Sequence, residues 1–307
     1  MNGRQIWLIA TYSTRYSVRG GIGLVFLLLS LTFGLLVAHF MLQPVEMISK
    51  QVAAHNKSAD PAETTAKVLE SLTDQAKPVV SWMLAAKSDK PDAAVTAAAD
   101  AWANFLLDER PGMLSAIFLI LLFGWPLVVA FGAFDLYAGD IGSRQLRFQL
   151  LRADRGSIYA GRLLGNVMTF IAVLTLLGLT VTIYMGCKLS VYPWSSLLGW
   201  ACYGTAAMIV VSLPYIALCA WISASTASSF VAMTLTSLVI GGVPLVAMIA
   251  RMTHEAGGYV QYLLPWGYQM RLFHPDLAQV GLATAGVVAQ TALFTWLGYR
   301  AFTRRDL

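Results

Sequence analysis

Five arginines, Arg144, Arg147, Arg152, Arg155 and Arg162, crowd into the stretch GDIGSRQLRFQLLRADRGSIYAGR, residues 139–162, between two apolar runs. Guanidinium groups recognise oxyanions, carboxylate or phosphate, through planar, paired hydrogen bonds. Leu146, Leu150 and Leu151, with Phe148 and Ile158 nearby, give a helical stretch an apolar side to lie against something while the charges stay solvated or meet phosphates and carboxylates. In that reading Leu146 and Leu150 are teeth that enter a partner's groove. The same residues also fit a plainer role, because arginine clustered beside a membrane span fixes orientation under the positive-inside rule and needs no further function.

Other residue types offer less. His254 and His274 flank an aromatic segment with Glu255 and Asp276 beside them, whereas His39 and His55 stand alone, and no i, i+4 histidine pair marks a metal site. Asp135, at the end of an apolar run beside Arg144 and Arg147, reads as a helix-terminal or salt-bridged acid rather than a proton relay. No GxxxxGK[ST], HExxH, GxSxG or CxxC occurs, so the chain carries no recognisable nucleotide, hydrolase or redox motif of its own. Cys187, Cys202 and Cys219 lack metal-ligand spacing and read as buried thiols.

The elements that position these residues are membrane spans. Hydrophobic residues make up 57% of the 307 and charged residues only 12%, a balance that lipid dissolves better than water. The net charge of +5 would point to nucleic acid in a soluble domain, but here the bases sit at span ends, and nucleic acid is set aside. The expected class is an all-α polytopic membrane protein with six transmembrane helices at 20–42, 113–137, 163–186, 195–222, 230–250 and 280–302. Residues 1–19, with Arg4, Arg15 and Arg19 set among Ile6, Trp7, Leu8, Ile9, Tyr12 and Tyr16, read as an interfacial helix, and 303–307 as a cytoplasmic tail. The first apolar run is too long for a signal peptide and ends without a small-residue cleavage site.

Between the first two spans, residues 43–112 turn polar, alanine-rich and proline-punctuated, with ten acids and seven lysines or arginines. Apolar residues recur there at helical intervals, which predicts a small extracytoplasmic helical insert leaning on the spans, a second subunit or a partner. The arginine count orients the rest. Putting both termini and the 138–162 loop inside places eleven arginines in the cytoplasm and leaves only Lys188, Arg251 and Arg271 in the short outer connections. Residues 251–279 are too aromatic and apolar for a solvated loop. Pro265, Trp266 and Tyr268 are outer-gate candidates there, in either a re-entrant hairpin or an interfacial aromatic belt.

The order span, polar insert, span, FDLYAGDIGSRQLRFQLLRADRGSIYAGRLLGN, four more spans and FTRRDL resembles the permease subunits of the ABC-2 type ATP-binding-cassette transporter family. Asp135 matches the acid that typically ends the second span of that family. Gly139 with Asp140, Leu150 with Leu151, Asp154 with Arg155, and Gly161-Arg162-Leu163-Leu164-Gly165 match the motifs that follow it. Asp140 and Arg162 stand where the family more often has Glu and Lys, and Arg144-Gln145-Leu146 replaces a common Gly-Thr.

The resemblance implies a permease of the bacterial cytoplasmic (inner) membrane that pairs with a second permease subunit, as a homodimer, and with two copies of a separate ABC ATPase. The chain itself would bind no cofactor; ATP and Mg would act in the ATPase. Asp140, Arg144, Leu146, Arg147, Leu150, Leu151 and Arg155 would then form the coupling segment. The spans would tilt about Pro126 and about Gly161 and Gly165. The work delivered would be export of a hydrophobic or amphipathic substrate, or force passed to an extracytoplasmic partner through 43–112. A non-transporting membrane anchor or signalling protein is the reading from a different class.

Overall fold

The computed structural model describes residues 2–19, 21–55, 61–85, 93–189, 191–253 and 255–305. Among these the chain is all-α, with no strand. Six helices are long and apolar enough to cross a membrane, their spans falling at Gly23–Val52, Gly112–Gly142, Arg155–Lys188, Trp194–Ser225, Ser229–Ala250 and Leu277–Arg304. Helix is the form such runs must take, since hydrocarbon offers no partner for an unpaired backbone N–H or C=O. The chain is a multi-pass membrane protein.

In chain order, α1 (Gly3–Arg19) precedes α2 (Ile22–His55), α3 (Pro61–Ala85) and α4 (Ala93–Asn104). A π turn at Phe105–Glu109 leads into α5 (Gly112–Ala133), and two short helices follow, α6 (Ala138–Gly142) and α7 (Leu146–Leu150). Next come α8 (Arg155–Lys188), α9 (Trp194–Ser225) and α10 (Ser229–Thr253). Turns of 3-10 helix at Glu255–Leu263 and Met270–Phe273 bracket α11 (Trp266–Gln269), and α12 (Leu277–Arg304) closes the chain. Helices α5 and α9 are the most enclosed of the spans, while α2, α10 and α12 form the rim. The Trp125 indole of α5 donates to Ser212 Oγ of α9 at 2.7 Å, and the Ser212 hydroxyl donates to Met208 O at 2.7 Å. A buried relay of this kind satisfies two polar groups that lipid could not.

Several boundaries differ from the sequence expectation. The first span does not stop at residue 42: α2 runs through Pro44 to His55, roughly 51 Å at 1.5 Å per residue against a hydrocarbon core of about 30 Å. Pro44 removes one backbone bond, but Leu42 and Val45 beside it are buried, and Glu46 pairs with Lys188 of α8 at 2.9 Å. Packing thus carries the helix past the composition change. At its other end α8 begins at Arg155, eight residues before the expected span, because Asp154 caps it by accepting from Ser157 N at 3.1 Å. Helix α5 ends at Ala133, and turns carry the second span on from there into α6. Cys219 is buried as expected, but Cys187 and Cys202 are exposed, and all three are free.

Within 43–112, Val68 and Leu69 of α3 are buried in the main core, and α3 packs on both α2 and α4. Lys77 pairs with Asp74 and with Asp108, each at 2.8 Å, and both carboxylates hold its ammonium pKa above the ordinary lysine value. Trp102 of α4 reaches the far segment of the chain, donating to Phe273 O at 2.8 Å. Helices α3 and α4 therefore pack against α2 and against the turn at Phe273.

Candidate functional site

At the opposite end of the bundle, a second apolar cluster stands apart from the main core. Tyr137, Ile141, Leu146, Ile158, Tyr159, Ala220, Ala224 and Phe302 form it, with Ile9, Leu136, Leu150, Ala153 and Leu163 around the edge. Tyr137 stacks on Tyr159 with centroids 5.1 Å apart, and Phe302 tilts against both. The Tyr137 hydroxyl donates to Tyr159 O at 2.8 Å. Its backbone N–H and that of Ala138 converge on Ser223 Oγ at 2.9 and 3.0 Å, so a side chain of α9 caps the start of α6.

Arg162 clasps the segment. Its guanidinium forms an ion pair with Asp140 of α6, donates to Leu136 O at 3.1 Å and donates to Gln149 Oε1 of α7 at 3.0 Å. One side chain rooted in α8 thereby holds the end of α5 and both short helices. Asp135 accepts from Gly139 N at 2.8 Å and from Ser229 Oγ of α10 at 2.7 Å, the helix-terminal role read from sequence. Arg155 donates within the chain, to Thr303 O and Arg305 O at 2.8 and 2.9 Å. Arg305 donates in turn to Ala224 O at 3.0 Å and Thr226 O at 2.8 Å. These two cations sit on carbonyls at the C-terminal ends of α12 and α9, where the helix dipole favours positive charge. The Ser157 hydroxyl, and then its N–H, hold the capping Asp154 carboxyl below the usual range.

The apolar teeth are not the expected pair. Leu146 is only 1% exposed and belongs to the chain's own cluster, and Leu150 lies at the edge of the same cluster. Phe148 and Leu151 face outward instead, 73% and 83% exposed. The reason is a break in the stretch: it does not form one amphipathic helix, because Arg144 adopts φ 60° between α6 and α7 and turns the chain. That left-handed conformation costs an L-residue roughly 1–2 kcal/mol. A helical period does not carry across such a break, so spacing alone does not separate the inward from the outward apolar residues.

Helix α8 passes unbroken through Gly161 and Gly165, the two glycines expected to serve as a hinge. They form the seat for α1. A Cβ on Gly161 would lie 2.7 Å from Ile9 Cβ, and one on Gly165 would lie 2.7 Å from Ala10 O. Thr14 Oγ1 donates to Gly165 O at 3.0 Å, and Asn2 N donates to Ser157 Oγ at 3.2 Å. Helix α1 thus lies along the root of α8 and turns its Trp7, Leu8, Tyr12 and Tyr16 outward. Pro126 is buried inside a continuous α5.

Far from this end, Pro265, Trp266 and Tyr268 are packed between spans. Pro265 is buried, Trp266 meets Phe123 of α5 at 5.5 Å, and the Tyr268 ring fills the space beside Gly286 of α12. Gln290 Nε2 of α12 donates to Tyr262 O at 2.6 Å, and Arg271 donates to the Tyr262 hydroxyl at 3.1 Å. Gln269 is fully buried without a hydrogen-bond partner for either side-chain polar atom. His254 lies outside the described residues, and among those described no three His, Cys, Asp or Glu side chains gather into a metal-binding group.

Sequence reasoning missed Tyr137, Tyr159, Phe302 and Ser223. The available signal was the placement of tyrosines, a phenylalanine and a small hydroxyl residue at the ends of four spans that the loop arginines also border. No protein-family model matches the chain, and no curated protein matches it.

Proposed function

We propose that this chain is the permease subunit of an ABC-2 type transporter, exporting a hydrophobic or amphipathic substrate across a bacterial cytoplasmic membrane with energy from a separate ATPase. The observation that carries the reading is the Arg162 clasp. A coupling element must present a contact surface and pass a push to more than one span. Phe148 and Leu151 are the surface, exposed on and just after α7. Asp140, Leu136 O and Gln149, all held by Arg162, join that surface to α5 and α8 together. A push on α7 is then shared by two spans rather than absorbed in a loose loop.

In this reading the arginine-rich end is cytoplasmic. Helix α1 lies in the head-group layer with its aromatic residues toward lipid, and 43–112 faces outward. ATP and Mg act in the partner ATPase, two copies of which serve a permease dimer. The path for substrate runs between the two permease subunits, and its outer rim includes Pro265, Trp266 and Tyr268.

A second reading, force delivered to an extracytoplasmic partner, draws on one specific feature. Helix α2 is continuous from the first span into the insert and is braced by Glu46 on Lys188. It would carry a tilt of the span outward as a lever.

The test is affinity purification from native membranes of the wild-type chain and of the Phe148→Ser/Leu151→Ser variant, which keeps every arginine and hence the topology signal. The wild-type chain retains an ABC ATPase, and the variant loses on the order of tenfold or more of that retention, the expected cost of two apolar contacts. Equal retention by both, or no ATPase with the wild type, favours the anchor or signalling protein.

A further inference from the structure

Beside the clasp, a surface hollow of about 340 Å³ is lined by Ile141, Gly142, Arg144, Leu146, Arg147, Ala227 and Arg305. Three of its lining residues are arginines, and among the described residues no acid lines it. Among the described residues the nearby acids are committed elsewhere: Asp140 to Arg162, and Asp135 to Gly139 and Ser229. Hydrogen bonds to Ala224 O and Thr226 O fix the Arg305 head on the rim. Arg144 reaches the hollow from the strained left-handed turn. An anion is the chemistry that such a lining selects.

We propose that this hollow seats the phosphate of an anionic membrane lipid, whose acyl chains run along the outer face of α10. Two observations choose a lipid over a soluble anion. The hollow opens where α9 and α12 end and α10 begins, which is head-group depth for a chain with spans at 194–225, 229–250 and 277–304. Three residues after Ala227, the apolar rim of the bundle begins with Phe230, 72% exposed, followed by the exposed Val231. A free phosphate needs no apolar flank, whereas a phospholipid needs both. Basic pockets between spans at the cytoplasmic face are a recurring means of holding anionic headgroups. Such a seat requires no ATPase, so it stands or falls apart from the transporter reading.

The experiment is native mass spectrometry of the purified full chain, titrated with phosphatidylglycerol or phosphatidylcholine. One tight phosphatidylglycerol is expected per chain, bound about thirtyfold better than phosphatidylcholine, as two basic contacts near a membrane surface imply. Arg144→Gln/Arg147→Gln should remove that preference without moving the thermal midpoint. Ala227→Leu, which fills the hollow and keeps every arginine, should do the same, and it decides the matter alone if the double variant fails to insert. Arg4→Gln/Arg15→Gln on α1 should leave the tight lipid in place. Equal binding of the two lipids, or a preference that survives Ala227→Leu, overturns the assignment. So does displacement of the lipid by inorganic phosphate, which would make the hollow a free-oxyanion site.

Discussion

Arg162 is the residue on which the basic end of the bundle turns. It is mostly enclosed, its side chain 13% exposed against 30% for Asp140, so the pair is screened less than a surface bridge and more than a fully buried one. Arg162→Gln leaves the carboxylate of Asp140 and the Leu136 carbonyl short of a cationic donor. The expected loss is about 1–3 kcal/mol, read as a lowered thermal midpoint in detergent. Arg162→Gln/Asp140→Asn should recover part of that loss, because the stranded charge is gone; a double variant no better than the single one would mean that the carboxylate was never the cost. Sequence alone marked Asp140 and Arg162 as motif positions without pairing them. The chain between the two passes through a left-handed turn at Arg144, and no residue type announces a left-handed arginine.

Among the elements, the spans were legible and their ends were not. Long apolar runs dictate helix in lipid whatever their neighbours, and all six were visible as such. The end of α2 was invisible because a proline and a run of polar residues, both ordinary stop signals, are overridden by burial of Leu42 and Val45 and by the Glu46–Lys188 bridge. The segment after α10 offers a test at this scale. His274 meets the Trp102 ring edge-on at 4.7 Å, and its Nδ1 accepts from Asp276 N at 3.0 Å. Burial pulls its pKa below the ordinary histidine value, and the nearby Asp276 carboxylate offsets this only in part. The unfolded segment therefore binds more protons than the folded one as pH falls below about 6.5, and the docking of 270–276 onto α4 weakens in that range. Hydrogen exchange at Met270–Phe273, corrected for intrinsic rates, should rise at mildly acid pH in the wild-type chain and stay flat in His274→Gln. Identical behaviour of the two would rule His274 out as the cause.

For the whole molecule, orientation is the property from which the other proposals take their sense. The native cysteines serve as probes without mutation. Cys187 is exposed at the far end of α8 beside the Glu46–Lys188 bridge, whereas Cys219 is buried. Cys202 is exposed but sits eight residues into α9 from Trp194, about 12 Å along the helix and inside the apolar span. With the arginine-rich end in the cytoplasm, a membrane-impermeant maleimide added outside intact cells should modify Cys187 and neither of the others. Labelling of Cys187 only from inverted vesicles would reverse the topology and with it the proposed direction of coupling.

The seat of α1 on Gly161 and Gly165 also orders events during synthesis. Asn2 and Thr14 bond to residues 155 and 151 positions later in the chain, so α1 has no docking site until the start of α8 has been made. At ordinary translation rates that wait lasts roughly 10–30 s. The outward Trp7, Leu8, Tyr12 and Tyr16 give α1 somewhere to rest meanwhile, at the lipid surface, close to where α8 will arrive. On the proposed interfacial placement, the nascent chain would keep α1 parked at the membrane until α8 is ready to receive it.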